Sequence, residues 1–193
     1  FACGASADVV DFDDVSVPYV HVVNNIYAYQ LRVRQGQYEH QGIWLRTDFA
    51  SDSKLLYGRT VAGSGFECDT PPNFIYASNY YGLIANVPVY MDFIVPDSTP
   101  EELFEWQPVS QVAFFVFDIN DATNTSGLWA ATALGADGEA LETITGTASN
   151  VVVAFSHAQA DIYTVEFHPS PEHEAIDTLM INCCISPPCV ADY

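Results

Sequence analysis

The stretch 109-VSQVAFFVFDINDATNTSGLWAATALGADGEALETI-144 decides the fold. Val109 to Ile119 and Leu128 to Leu134 are short runs rich in Val, Phe and Thr, separated by an acidic loop, and Asp137-Gly138 then divides LWAATALGA from EALETI. A D-G pair between such runs is hairpin chemistry, because these residue types tolerate the positive φ that a tight turn requires.

Working outward, the same signature recurs in Val9 to Val15, Ile26 to Arg34, Ile43 to Phe49, Val87 to Val95, Val151 to Phe155, Ile162 to Phe167 and Ile176 to Asn182. Short runs of β-branched and aromatic residues between turn signals read as strands. In 26-IYAYQLRVR-34, Tyr27, Tyr29, Leu31 and Val33 share one face, and Ala28, Gln30, Arg32 and Arg34 share the other. A half-buried antiparallel strand has that pattern. Pro100 to Phe104, with Pro and acids at its start, is the one helical signal. Many short strands imply an all-β, two-sheet antiparallel β-sandwich. A length of 193 residues suits a single domain over 1–193 ending in a Cys-rich tail.

The run Pro108 to Asp118, then LWAATALGADGEALETITG, VVVAFS, Ile162 to Phe167, and Ala175-Ile176-Asp177-Thr178-Leu179, resembles the C-terminal half of secreted jelly-roll modules of exported surface proteins. Those modules carry "V-x-x-V-G-F", "L-x-A-x-D-x-D-G" and a closing "I-D-D-L", with an N-terminal "F-D-D-L" that Phe12-Asp13-Asp14-Val15 resembles. The resemblance covers roughly Val109 to Met180 plus that first strand; residues 35 to 86 lie outside it. It implies a jelly-roll-like sandwich used for adhesion, glycan contact or surface architecture, often with a structural calcium ion. Thr178 stands where the closing motif has its second acid, leaving Asp177 alone there.

Composition narrows the partners. Asp and Glu number 25 against 5 Lys and Arg, for a net charge of −20, while 49% of residues are apolar. The apolar share is too high for a disordered acidic chain. The charge excludes nucleic acid and anionic membrane surfaces, which are bound through Lys and Arg. No run of about eighteen apolar residues is present, so no membrane insertion is expected.

The start at Phe1 in FACGASA reads as a chain from which a signal peptide has been removed, which predicts a secreted, extracellular protein. Cys3, Cys68, Cys183, Cys184 and Cys189 lack the paired spacing of a zinc site and read as disulfides tying the chain ends to the body. With an odd number of cysteines, one thiol stays free or one bond is intermolecular; the pairing is open. Asn124-Thr125-Ser126 is an N-glycosylation pattern.

Calcium takes six to eight oxygens, carboxylates among them. Asp11, Asp13 and Asp14 at the first strand, with Asp177 in the last, form a candidate structural calcium site or else a solvated acidic edge that discourages strand pairing. The loop Asp118, Asn120, Asp121, Asn124 reads as a turn, and 167-FHPSPEHEA-175 as an extended surface loop rather than a metal site; His21 and His157 are expected on strand faces. Tyr76, Tyr80 and Tyr81 in FIYASNYYG, with Trp44 and Trp106, form a candidate sugar-stacking platform, against the alternative of ordinary packing.

No G-x-S-x-G is present, Gly63-Ser64-Gly65 reads as a turn, and paired catalytic carboxylates are recognised only by separation in space. The expectation is therefore a non-catalytic structural or adhesive building block of a surface, matrix or filament, contacting copies of itself or neighbouring surface proteins. The alternative is a calcium-supported carbohydrate-binding module.

Overall fold

The computed structural model describes residues 8–10, 12, 22–23, 26–32, 37–47, 54–59, 73–78, 87–96, 105–118, 128–147, 151–169 and 174–181. Among the described residues thirteen strands are formed: β1 (Asp8–Val10), β2 (Val22–Val23), β3 (Ile26–Arg32), β4 (Ile43–Thr47), β5 (Lys54–Arg59), β6 (Asn73–Ser78), β7 (Val89–Phe93), β8 (Gln111–Asp118), β9 (Trp129–Leu134), β10 (Ala140–Gly146), β11 (Val151–Ser156), β12 (Thr164–His168) and β13 (Glu174–Ile181). They make two antiparallel sheets. The eight-stranded sheet runs β11-β8-β13-β6-β5-β3-β2, with β1 also on β13, and the five-stranded sheet runs β10-β9-β12-β7-β4.

The period of two fixes which side chains meet between the sheets. In β9, Trp129, Ala131 and Ala133 are buried while Ala130, Thr132 and Leu134 are not. Val112, Phe114, Val116, Phe155 and Ile176 of the larger sheet share one core cluster with Leu45, Met91, Phe93, Val165 and Phe167 of the smaller one. Phe114 and Phe167 cross between the sheets as an edge-to-face pair, ring centroids 5.8 Å apart. The two layers therefore form a β-sandwich.

The β9–β10 hairpin turns where the D-G pair predicts. Gly138 has φ 75°, its N–H donates to the Gly135 carbonyl at 3.1 Å, and the Gly135 N–H donates to the Glu139 carbonyl at 2.9 Å. The register slips by one residue between Ala140 and Glu142, a bulge that bends the start of β10. At the far end of the hairpin Gly146 pairs with Trp129, and a Cβ there would lie 2.3 Å from Trp129 Cζ2. The indole occupies the space a side chain would need.

Expectation and structure part between residues 35 and 86. β5 and β6 form inside the larger sheet, although 54-KLLYGR-59 and 73-NFIYAS-78 lack clean alternation. A 3-10 turn over Glu39–Gln41 precedes β4. The described part of the Val9 to Val15 run includes β1 (Asp8–Val10), and that of the Ile43 to Phe49 run is β4 (Ile43–Thr47); the rest of both runs, Phe12 excepted, lies outside the described residues. The helical signal at 100–104 lies outside the described residues. No helix among the described residues is long and apolar enough to cross a membrane.

Candidate functional site

The two outward faces of the sandwich differ in chemistry. On the five-stranded sheet the register aligns Arg46 (β4), Tyr90 (β7), Glu166 (β12), Thr132 (β9) and Thr143 (β10) in one row across every strand. The adjacent row holds Trp44, Asp92, Thr164, Leu134 and Ala140. These residues face outward because their sequence neighbours, of opposite parity, fill the core.

Asp92 is the centre of this face. Its side chain is only 5% exposed. Arg46 donates from Nε to Oδ2 at 2.5 Å and from Nη2 to Oδ1 at 3.2 Å, and the Thr164 hydroxyl donates to Oδ1 at 2.8 Å. A carboxylate taken out of water needs a paired charge and occupied lone pairs, and this set supplies both. The Arg46 guanidinium also lies 4.2 Å from the Tyr90 ring centroid, held there by the negative ring face. Farther along, His168 Nε2 is 2.7 Å from Glu166 Oε1, and the Thr132 and Thr143 hydroxyls are 3.2 Å apart. The face can hydrogen-bond a polar ligand through exposed His168 and Thr143, whereas Arg46 is already committed to Asp92.

The larger sheet presents the opposite character. Val9 (β1), Met180 (β13), Ala113 (β8) and Ala154 (β11) form one outward row, and Asp177, Phe115 and Val152 form the next. Val152 is 59% exposed and Val9 50%, with Met180, Phe115 and Ala154 half-buried between them. Outward faces of antiparallel sandwiches are ordinarily polar and wetted, so an apolar strip there is the feature with interaction potential.

Asp177 interrupts that strip. It is fully buried, and its Oδ1 accepts the Thr178 backbone N–H at 2.7 Å. Thr178 has φ 43°, unusual for a β-branched residue, and the β13–β8 register shifts between Asp177 and Met180. Here β13 changes neighbours: Ile176 pairs with Ile75 of β6, whereas Leu179, Met180 and Ile181 pair with β1. The first and last strands are thus adjacent, as the calcium reading requires, with Val10 opposite Leu179. Asp11, Asp13 and Asp14 lie outside the described residues, and among the described ones no group of three or more His, Cys, Asp or Glu side chains could hold a metal ion.

The expected aromatic platform divides between the sheets. Tyr76 belongs to β6, an interior strand rather than a loop, while Trp44 lies on β4 of the other sheet and is only 7% exposed. An indole that enclosed has little face left for stacking. Tyr80 and Tyr81, all five cysteines and Asn124 lie outside the described residues. Trp106, by contrast, is 45% exposed and packs at 6.2 Å from the Tyr163 ring.

Two features escape the sequence reading. Asp92 in YMDFIV and Arg46 in IWLRT are charged residues of outward parity on strands adjacent in space, and only that shared parity hinted at their pairing. His157 lies one residue beyond β11, between Asp161 and Glu142 rather than on a strand face. No family model matches the chain, and no curated protein matches it. Among solved structures it is similar to the K2 cleaved adhesin domain of Lys-gingipain, with a TM-score of 0.47 and 9% identity over 74% of this chain and 91% of that one.

Proposed function

We propose that the chain is a secreted, non-catalytic building block of an extracellular surface, matrix or filament, docking onto copies of itself or neighbouring proteins through the outward face of its larger sheet. The observation that carries this reading is the apolar strip Val9, Met180, Phe115, Ala154 and Val152 on a face where a solitary sandwich would be polar. The charge of −20 opposes association at long range and is screened within about 10 Å at 0.1 M salt, so docking strengthens as salt rises. Disulfides from the five cysteines and a glycan on Asn124 belong to the same proposal and are read by non-reducing mass spectrometry.

Sedimentation velocity at 20 mM and 500 mM salt tests it, with Val152→Asp as the control for the apolar strip. The reading requires a faster-sedimenting species at high salt that the variant lacks. A chain that stays monomeric at both salts, with no partner retained on an immobilised extracellular matrix extract, removes it.

A second reading, a calcium-supported carbohydrate-binding module, draws on the polar row Arg46, Tyr90, Glu166, Thr132 and Thr143 and on the adjacency of β1 and β13. It requires a calcium-dependent rise in melting temperature that Asp177→Ala abolishes. Binding to the folded state stabilises by about 2.7 kcal/mol at a hundredfold excess of ligand over Kd. It also requires retention on a polysaccharide column that Glu166→Ala weakens. Identical melting in EDTA and calcium, together with no retention, excludes it.

A further inference from the structure

We propose that β11 is a strand-pairing edge through which two copies of the chain join, antiparallel, about a two-fold axis at Ala154. β11 ends the eight-stranded sheet and, among the described residues, pairs with β8 alone, in unbroken register from Val151 to Ser156. A strand so placed presents unpaired N–H and C=O groups, and proteins ordinarily blunt it with charge, proline, a bulge or brevity. The other edges of the two sheets each carry one of these devices. β2 and the off-path β1 are two and three residues long, β10 carries Glu142 and a register shift, and β4 carries Arg46. The β11 run 151-VVVAFS-156 carries none of them, in a chain of net charge −20.

Backbone alternation fixes which groups face the open edge. The N–H and C=O of one residue point to the same neighbouring strand, and those of the next residue point the opposite way. One residue past β11, in the same register, the His157 N–H donates to the Ser110 carbonyl at 2.8 Å. Val151, Val153 and Phe155 therefore bond to β8, and Val152, Ala154 and Ser156 turn their backbone groups away from it. The buried side chains of Val153 and Phe155 hold the strand in place, while Val152 is 59% exposed and Ser156 exposed, so solvent reaches this edge.

A second copy suits the edge because the strand is complementary to itself. With the axis at Ala154, that residue faces its own counterpart, Val152 faces Ser156, and Val153 faces Phe155 across the junction. Each outward-turned N–H then meets a C=O of the other copy, and the buried layer of Val153 and Phe155 continues from one sheet into the next. The smallest side chain of the outward set lies at the axis, where the two backbones approach to about 5.5 Å between Cα atoms. No charged side chain lies in the pairing segment, so two acidic chains meet here without setting carboxylate against carboxylate. A basic strand from an unlike partner would find no counter-charge on β11. The contact is isologous and closes at two copies.

This edge contact is separate from docking through the outward face, and residue-resolved amide exchange of dilute and concentrated protein at 500 mM salt tells the two apart. Val152, Ala154 and Ser156 should exchange quickly when dilute and slow on the order of 10-fold when concentrated, with Val153 and Phe155 protected throughout. Face docking covers side chains and produces no such alternation. Ala154→Pro removes only an edge-facing N–H and leaves the β8 ladder whole, so edge pairing should disappear from its sedimentation velocity profile. Val9→Asp, on the outward face three strands away, should still pair along the edge. Association that Val9→Asp abolishes and Ala154→Pro spares would leave face docking standing and overturn the edge contact. Protection of β11 that rises without alternation, or does not rise at all, overturns it too.

Discussion

Arg46 and Asp92 sit diagonally across β4 and β7, one register step apart, joined by Nε–Oδ2 at 2.5 Å and Nη2–Oδ1 at 3.2 Å. The carboxylate is buried and the guanidinium about one-third exposed, so the pair is asymmetric. Removing the arginine strands a charge that water reaches poorly; removing the carboxylate frees a cation that solvent can take up.

That asymmetry orders two variants. Arg46→Ala should cost roughly 2–4 kcal/mol in urea unfolding, because Asp92 keeps only the Thr164 hydroxyl. Asp92→Asn should cost less, since the amide retains an acceptor for Arg46. Equal losses would contradict the geometry.

Phe114 and Phe167 hold the two sheets together edge to face at 5.8 Å. Each substitution to Ala should cost about 3–5 kcal/mol, and a double-mutant cycle should return a coupling of about 0.5–1.5 kcal/mol. A coupling near zero would mean that the sheets are not in register at this point.

Gly146→Val should destabilise the protein by about 1–3 kcal/mol through overpacking, because its Cβ would enter the Trp129 ring. Trp129 fluorescence should shift toward the solvent-exposed value in the same variant. An unchanged spectrum would place the indole elsewhere.

Where strand pattern and turn chemistry agree, the fold is legible in the sequence. Asp137-Gly138 predicts the hairpin, and the run Leu128 to Leu134 predicts the strand before it, whose burial alternates in the fold. β5 and β6 are not legible, because Lys54–Arg59 mixes charge with Gly58 and Asn73–Ser78 follows a Pro-Pro pair; pairing within the larger sheet overrides weak local preference. Trp44 illustrates the limit for sites. Its side chain suits sugar stacking in any list of aromatics, yet its burial opposite Asp92 is a property of tertiary packing. The His157–Glu142 contact joins residues fifteen apart, one just past β11 and the other on β10, and nothing local marks it.

Docking through the outward face of the larger sheet makes a positional claim about β11, β8 and β13. Amide hydrogen exchange on dilute and concentrated protein at 500 mM salt tests it most directly. The account predicts that protection rises with concentration at Val151–Ser156, Gln111–Asp118 and Glu174–Ile181 while β4 and β7 stay unchanged. Concentration-dependent protection confined to the five-stranded sheet, or none anywhere, would contradict it.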